Sequence, residues 1–340
     1  MMLKQTFAAA SLMLAATAAD AATGCVGRDL IAELPQAERD RIAAAVADVP
    51  YHQGLLWQAS RDDAQITIVG TYHFADPRHQ ATMQTIAPAL SDAALVMVEA
   101  GPEEQEQLTN VLALNPSLMV DADGPTLPER LSDDEWDTLS SAMAERGMPA
   151  IMTAKLRPWY VSLMLGISPC MMATFAESGI KGSLDDLLIQ EAVSHDIPIR
   201  ALEPWDTVFT LFSDLTPDQE IGMLRVMLPQ AEYADDYAVT LSNAYFSGDV
   251  WQLWEFGRLD AENHSGLSQA EVEEQFTLAE DLLMNRRNQN WIAPLIEAAE
   301  TAAQDGKGIV AGFGALHLPG EQGVLNLLAG QGWTIERLDG

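Results

Sequence analysis

Short apolar runs near the start of the chain predict the strands of a buried sheet. Residues 66–69 are β-branched and are followed by Gly70, and residues 95–98 form a continuous apolar run followed by Glu99. Short apolar runs bounded by glycine or a charge are typical of strands that are covered on both faces. A segment with helical spacing of its apolar residues separates the two runs. The pattern therefore predicts a strand–helix–strand unit with parallel strands.

The end of the chain shows a second arrangement of the same kind. Residues 308–313 predict a strand, residues 321–329 a helix and residues 333–335 a last strand. The two ends of the chain must come together if their strands are to share one sheet.

The middle of the chain has a mainly helical pattern from residue 103 to about residue 305. Helix starts are indicated at Asp133 and at Pro158, and one break is expected near Gly266. Within this helical stretch, residues 198–202 could instead form a short strand.

These patterns predict an α/β fold, with α+β as the alternative. A small mixed sheet is expected from residues of about 50–102 and about 306–340, with a helical lobe of about 103–305 inserted between them. We expect a single domain over residues 22–340, because no linker rich in Pro or Gly and no internal repeat divides the chain.

The charge of the chain excludes several classes of partner. The 340 residues include 50 Asp and Glu but only 18 Lys and Arg, a formal charge of −32, with 48% hydrophobic residues. This hydrophobic content is that of a soluble globular protein. The excess of acids repels nucleic-acid phosphates and anionic membrane surfaces. We therefore expect a peptide or small-molecule partner that is neutral or cationic, and no nucleic acid.

Residues 1–21 have the pattern of a signal peptide. Lys4 precedes an apolar run of about 14 residues, and Ala19–Ala21 has the small-x-small pattern of a cleavage site. The run is shorter than the roughly 20 residues needed to span a bilayer, and no later stretch suggests a transmembrane segment. We predict cleavage after Ala21 and a periplasmic or secreted protein. A lipoprotein anchored at Cys25 is the weaker alternative.

The two cysteines of the chain are expected to pair. Cys25 and Cys170 are the only cysteines in the sequence, and an exported protein meets an oxidising compartment in which paired thiols become disulfides. A bond between them would fix the start of the mature chain to the helical middle.

Three of the predicted strands end in residues that can carry chemistry. His73 ends the motif Gly70–His73, Glu99 follows the second strand, and His317 ends the motif Gly314–His317. Ligands collect at the carboxyl ends of parallel strands in open α/β sheets. Two imidazoles and a carboxylate suit a catalytic divalent cation that keeps open positions for water and substrate. The sequence therefore predicts a metal site at this edge of the sheet.

The chain resembles the TraB/GumN family from about residue 50 to its end. This family is related to the Tiki metalloproteases and, more distantly, to erythromycin esterases and to the haem-binding ChaN proteins. No single motif is specific, but the order and spacing of the motifs indicate the family. The motifs are Gly70–His73, Val98-Glu99, Arg157–Trp159, Leu202-Glu203, Arg287-Asn288, Gly314–Gly320, Gly323 and Gly332-Trp333.

The resemblance implies a metal-dependent hydrolase that resembles a metalloprotease and uses manganese, cobalt or zinc. His73 and His317 would be the histidine ligands, and Glu99 the carboxylate, as ligand or as base. Arg287 would face the site and stabilise the developing oxyanion, and Asn288 would hold the loop.

Several questions stay open at this point. The sequence does not identify the general acid for the leaving group, and Glu103 and His79 are candidates. Glu203 is expected to form an ion pair with Arg157 or Arg200, although it is also a candidate partner of a ligand. The alternative to a hydrolase is a haem-binding or peptide-binding envelope protein without catalysis.

Overall fold

The computed structural model describes residues 25–179 and 181–339. The predicted signal peptide and its cleavage after Ala21 lie outside the described residues. No helix in the described part of the chain is long and apolar enough to span a bilayer.

A six-stranded mixed sheet forms the centre of the fold, in the order β4-β3-β5-β2-β1-β6. Four strands, β2, β5, β3 and β4, run parallel to one another, and β1 pairs antiparallel with β2 and with β6. The predicted fold class, α/β with a mixed sheet, is confirmed. The strands are β1 (Leu56–Arg61), β2 (Ala64–Thr71), β3 (Leu95–Val98), β4 (Ile199–Ala201), β5 (Ile309–Gly314) and β6 (Thr334–Arg337).

Helices occupy most of the remaining described residues, and the stretch from α4 to α16 confirms the predicted helical middle. The helices are α1 (Leu30–Glu33), α2 (Gln36–Val46), α3 (His79–Ser91), α4 (Pro102–Leu114), α5 (Leu127–Arg130), α6 (Asp133–Glu145), α7 (Ala150–Thr153), α8 (Pro158–Leu165), α9 (Pro169–Ser178), α10 (Leu184–Ser194), α11 (Thr207–Ser213), α12 (Pro217–Met227), α13 (Ala234–Phe246), α14 (Trp251–His264), α15 (Gln269–Glu280), α16 (Arg286–Ala303) and α17 (Val324–Gly330). A π-helical turn covers Asp281–Asn285, and 3₁₀ turns cover Pro116–Leu118, Pro229–Tyr233 and Ala315–His317.

The centre of the sheet is covered on both faces, which explains why β2, β3 and β5 are mainly apolar. Ile66 and Ile68 of β2 belong to the core cluster that includes Trp291 and Leu295 of α16. Val69, on the opposite face, belongs to the cluster formed with α3 and α10. Alternate residues of one strand thus enter two separate cores, as the period of a strand requires.

Two details of the sheet differ from the sequence prediction. Strand β1 was not predicted, because its apolar residues are interrupted by Gln58, Ser60 and Arg61. In addition, β5 lies between β2 and β3, so these two strands are parallel but not adjacent. The C-terminal segment inserts into the N-terminal unit, a long-range pairing that local pattern does not encode.

The parallel strands end at one edge of the sheet. Thr71 at the end of β2 pairs with Gly314, and Val98 at the end of β3 pairs with Gly312. His73, Glu99 and the turn that carries His317 follow these strands directly, so the register places them at the same edge.

Cys25 and Cys170 form the predicted disulfide, with their Cα atoms 5.4 Å apart. The bond attaches the first described residue to α9. The lipoprotein alternative at Cys25 is wrong in this structure, because lipid attachment requires the sulfur that the disulfide uses.

Candidate active site

The side chains of His73, Glu99 and His317 meet over Gly314. A Cβ atom at Gly314 would lie 3.2 Å from Glu99 Oε1, 3.3 Å from His73 Nε2 and 3.6 Å from His317 Cδ2. Glu99 Oε1 is also 3.8 Å from His317 Nε2. The three residues that were singled out at strand ends are therefore brought together, and the missing side chain of Gly314 leaves the space between them open.

His73 is oriented by a carboxylate on α10. Its Nδ1 is 2.8 Å from Asp185 Oδ2, and Asp185 Oδ1 accepts a hydrogen bond of 2.7 Å from Thr71 Oγ1. In the neutral imidazole, a proton on Nδ1 leaves the lone pair on Nε2, the atom that faces Gly314. The Asp185 charge raises the pKa of His73, an effect that solvent weakens because 58% of the side chain is exposed.

His317 is buried and neutral. Burial lowers its pKa to about 3, with Arg287 opposing the charged form as well. Its Nδ1 donates a hydrogen bond of 2.6 Å to Asn288 Oδ1, so Nε2 again carries the lone pair. That lone pair accepts a hydrogen bond of 3.1 Å from Arg287 Nη1.

Glu99 is a carboxylate with both oxygens engaged. Burial alone would raise its pKa, but the Arg287 guanidinium, with help from the Gly314 N–H, lowers it to about 2. Oε1 accepts a hydrogen bond of 2.6 Å from the Gly314 backbone N–H, and Oε2 accepts one of 2.6 Å from Arg287 Nη2. The charge of Glu99 is thus retained at any pH near neutrality.

Arg287 links two carboxylates at the sheet edge. Its Nε and Nη2 bind Glu203 Oε1 and Oε2 at 2.6 and 2.9 Å, and Nη2 also binds Glu99. The expected ion pair of Glu203 with Arg157 or Arg200 is wrong. Strand β4 runs parallel to β3, so Glu203 follows it at the same edge as Glu99, and the Glu203 N–H donates to the Glu99 carbonyl at 3.2 Å.

A π-helical turn precedes Arg287 and forms a hydrogen bond with its side chain. The turn at Asp281–Asn285 comes directly before α16, and its Leu283 carbonyl accepts a hydrogen bond of 3.0 Å from Arg287 Nη1. Single π-turns within helices occur frequently at functional sites. The sequence pattern indicated helix throughout this segment and gave no sign of the altered turn.

Asn288 connects α16 to the loop after His317. Its Nδ2 donates to the Gln322 carbonyl at 2.8 Å while its Oδ1 accepts from His317. These contacts are those expected of a residue that holds the loop.

Neither candidate general acid is bonded to the proposed ligands in the described structure. His79 is buried, and its Nε2 donates to the Phe74 carbonyl at 2.9 Å. Glu103 is exposed on α4. Within the described residues, neither side chain forms a hydrogen bond or ion pair with His73, Glu99 or His317.

The donor atoms fit a divalent cation in type and orientation. Each histidine has an oxygen partner on Nδ1 and a free or displaceable lone pair on Nε2, the usual arrangement of metal-binding histidines, and Glu99 adds a carboxylate oxygen. The donor atoms of the three residues do not all lie within 4.8 Å of one another in the described structure. Metal binding therefore requires these side chains to move closer together, and Arg287 Nη1, which donates to His317 Nε2, must release that atom.

A second group of potential ligands does lie within that distance, at Cys25, Cys170 and Asp235. Its two sulfurs are bonded to each other, and a disulfide sulfur is not the thiolate that metals bind. This group is therefore not a metal site while the disulfide is intact.

Two residues of the site were not singled out as ligand partners by the sequence alone, because Asp185 is only an acid at the start of a helix and Thr71 only part of a motif. Glu203 was a candidate partner of a ligand, but an ion pair with Arg157 or Arg200 was the favoured expectation. Their contacts depend on which helix and strand lie beside β2 and β3, and this information is in the tertiary structure.

Comparison with known proteins gives one finding at the level of the family. The profile of the TraB/PrgY/gumN family matches residues 55–337, which is most of the chain. No curated protein matches the sequence significantly. The matched range contains all the residues of the candidate site.

Proposed function

Since the chain belongs to the TraB/PrgY/gumN family, we propose that it is an exported metal-dependent hydrolase that resembles a peptidase. The site at the sheet edge would act on an amide or ester carbonyl of a peptide or small molecule. The metal would be manganese, cobalt or zinc.

One observation carries this proposal. Two histidines from distant parts of the chain have their Nδ1 atoms fixed by Asp185 and Asn288. His73 Nε2, Glu99 Oε1 and the edge of the His317 ring lie around the same glycine, and His317 Nε2 is 3.8 Å from Glu99 Oε1. Such preorganised lone pairs are the feature that distinguishes a ligand set from histidines that merely end strands.

His73, Glu99 and His317 would hold the cation. When bound there, a divalent cation supplies Lewis acidity toward a carbonyl and lowers the pKa of a coordinated water. Asp185 and Asn288 keep each imidazole in the tautomer that binds metal. Glu203 and Glu99 hold the Arg287 guanidinium beside the same space, where its positive charge stabilises negative charge that develops on the carbonyl oxygen.

A second candidate is hydrolysis without a metal. It is favoured by the hydrogen bond from Arg287 to His317 Nε2, which occupies one of the expected ligand atoms. In that reaction, His73 would act as the general base, and the Asp185 carboxylate would hold its ring in position. His73 is the more exposed of the two histidines, so a water molecule can approach it.

Chelation separates the two candidates. Protein treated with a chelator is incubated with a mixed peptide library, with and without added Mn²⁺, Co²⁺ or Zn²⁺, and the products are identified by mass spectrometry. We expect hydrolysis that depends on the metal and is lost in His317→Ala, with His195→Ala as a surface control.

Three results would change the proposal. Activity that survives chelation but is lost in Asp185→Asn would support the reaction without metal. No product under any condition would contradict a peptidase function. A Soret band on titration with haem, together with no hydrolysis, would support the binding alternative instead.

A further inference from the structure

The helical lobe contains a cavity that is separate from the candidate active site. Its volume is about 430 Å³, and it lies between the ends of α5 and α11 and the starts of α8 and α12. His73, Glu99, Arg287 and His317 do not line it. This volume lies in the range of small-molecule sites.

One wall of the cavity is aromatic. Trp159 stacks on Phe212 with ring centroids 5.4 Å apart and an interplanar angle of 16°. Phe209 meets Trp159 edge-on at 5.9 Å. Trp159 and Phe212 are buried, so this wall is held in place by the core of the lobe. It offers a rigid apolar surface for a ring or a branched chain.

Two arginines line the same cavity without a carboxylate partner. Arg130 donates to the Pro217 carbonyl, and Arg157 Nε donates to the Ser117 carbonyl at 3.2 Å. Neither forms an ion pair with any acid of the described residues. In a chain with 50 acids and 18 bases, two unpaired arginines that face one cavity leave several guanidinium donors for a ligand.

The acidic side chains of the cavity favour a ligand that carries only one negative charge. Asp121 and Glu220 also line the cavity. Burial raises the pKa of Glu220, although Arg130 and Arg157 oppose that effect. Two acids beside two arginines would repel a dianion such as phosphate but would tolerate a carboxylate.

Two helix starts add to the preference for an anion. Pro158 and Pro217 are the first residues of α8 and α12, and both line the cavity. The amino end of a helix carries a partial positive charge. This contribution only supplements that of the arginines.

We propose that this cavity is a second ligand site, specific for a monocarboxylate with an aromatic or branched apolar body. Such a group is found in N-acyl amino acids and at the C-terminus of a peptide with a bulky last residue. Arg130 and Arg157 bind the carboxylate, and the Trp159–Phe212 wall packs against the apolar body.

Isothermal titration calorimetry on the full mature chain tests the site. The probe is N-acetyl-L-phenylalanine, and its matched neutral control is N-acetyl-L-phenylalaninamide. We expect binding at one equivalent for the acid and binding at least about tenfold weaker for the amide, because the amide lacks the charge-assisted hydrogen bonds to arginine. Inorganic phosphate at the same concentration should not compete.

Substitutions locate the binding within the molecule. Arg157→Gln and Arg130→Gln should each weaken binding of the acid about tenfold or more, whereas Arg200→Gln, at an exposed arginine outside the cavity, should not. Circular dichroism confirms that each variant is folded. If Arg130→Gln fails to fold because α12 loses a contact, Arg157→Gln alone decides the outcome.

The proposal is independent of the active site, and this is also tested. His317→Ala should bind the acid as the wild type does. The proposal is overturned if the amide binds as tightly as the acid, if Arg157→Gln binds normally, if phosphate competes, or if His317→Ala abolishes binding.

Discussion

Gly314 determines whether the three side chains at the sheet edge can share a ligand. Its φ is −48°, so alanine is compatible with the backbone, and the effect of a methyl group there is steric. The methyl group would lie 3.2 Å from Glu99 Oε1 and 3.3 Å from His73 Nε2.

We predict that Gly314→Ala impairs the site more than it impairs the fold. A displacement of about 1 Å in a catalytic group can cost about 100-fold in rate, so hydrolysis and metal affinity should fall steeply while the melting temperature changes little. Gly330→Ala is the matched control, since a Cβ atom there meets nothing within 4 Å. Wild-type activity in Gly314→Ala would show that the space over this glycine is not used.

Arg287 neutralises two carboxylates that are largely removed from solvent. The side chains of Arg287, Glu99 and Glu203 are 15%, 18% and 12% exposed. Removing one partner of such a group leaves uncompensated charge in a poorly solvated place.

We therefore predict that Arg287→Gln lowers the free energy of unfolding by about 3–5 kcal/mol, measured by urea denaturation. Arg286→Gln is the control, because Arg286 pairs with Asp281 at the surface, where the two side chains are 53% and 41% exposed, and such pairs contribute about 1 kcal/mol or less. Equal losses in the two variants would show that the buried network is unimportant for stability.

At the scale of single residues, the sequence predicted the candidate ligands but not their partners. His73, Glu99 and His317 could be found because each follows an apolar run, and the ends of parallel strands must meet. Asp185 and Glu203 could not be assigned, because one polar residue on a helix or after a short strand gives no information about which element lies beside it. The surroundings of the general-acid candidates could not be predicted for the same reason. His79, for example, packs among aromatic rings.

At the scale of elements, five of the six strands were predictable, but β1 and the π-helical turn were not. β2, β3 and β5 are mainly buried and mainly apolar because helices cover both faces. β1 has intermediate burial at Gln58, Ser60 and Arg61, and its mixed pattern is typical of a strand with one open face. The π-turn before α16 likewise depends on the packing around it.

The disulfide attaches the N-terminal segment covalently to α9. The Cys25–Cys170 bond joins residues that are 145 positions apart. The start of the described chain also contacts α13 through the Arg28–Asp236 ion pair and through the Leu30 N–H. A long closed loop restricts the unfolded chain strongly.

We predict that reduction, or the double substitution Cys25→Ser and Cys170→Ser, lowers the free energy of unfolding by about 2–5 kcal/mol. Thermal unfolding of wild type with and without reductant measures the effect, and the double variant should not respond to reductant. A thiol reagent that labels unfolded, unreduced protein would show that the bond is absent.

At the scale of the whole molecule, the charge of −32 is distributed rather than concentrated in a tail. The predicted cleavage after Ala21 would remove one acid and one base, so the remaining chain would keep the same charge. Self-repulsion of like charges destabilises a compact state, and salt screens it.

We predict that the melting temperature rises by several degrees between about 10 mM and 500 mM NaCl, because the Debye length falls from about 30 Å toward about 4 Å. Differential scanning calorimetry in buffers that contain a chelator measures this effect without interference from divalent cations. A melting temperature that is constant or falls would mean that local ion pairs, and not net repulsion, dominate the electrostatics.

The most direct test of the account is the stoichiometry of metal binding to the chelator-treated mature protein, followed by the visible absorption of Co²⁺. We predict one equivalent bound with a d–d band, lost in His73→Ala and in His317→Ala but unchanged in His195→Ala. Binding that is absent in the wild type, or that persists in both histidine variants, would contradict a metal centre formed by His73, Glu99 and His317.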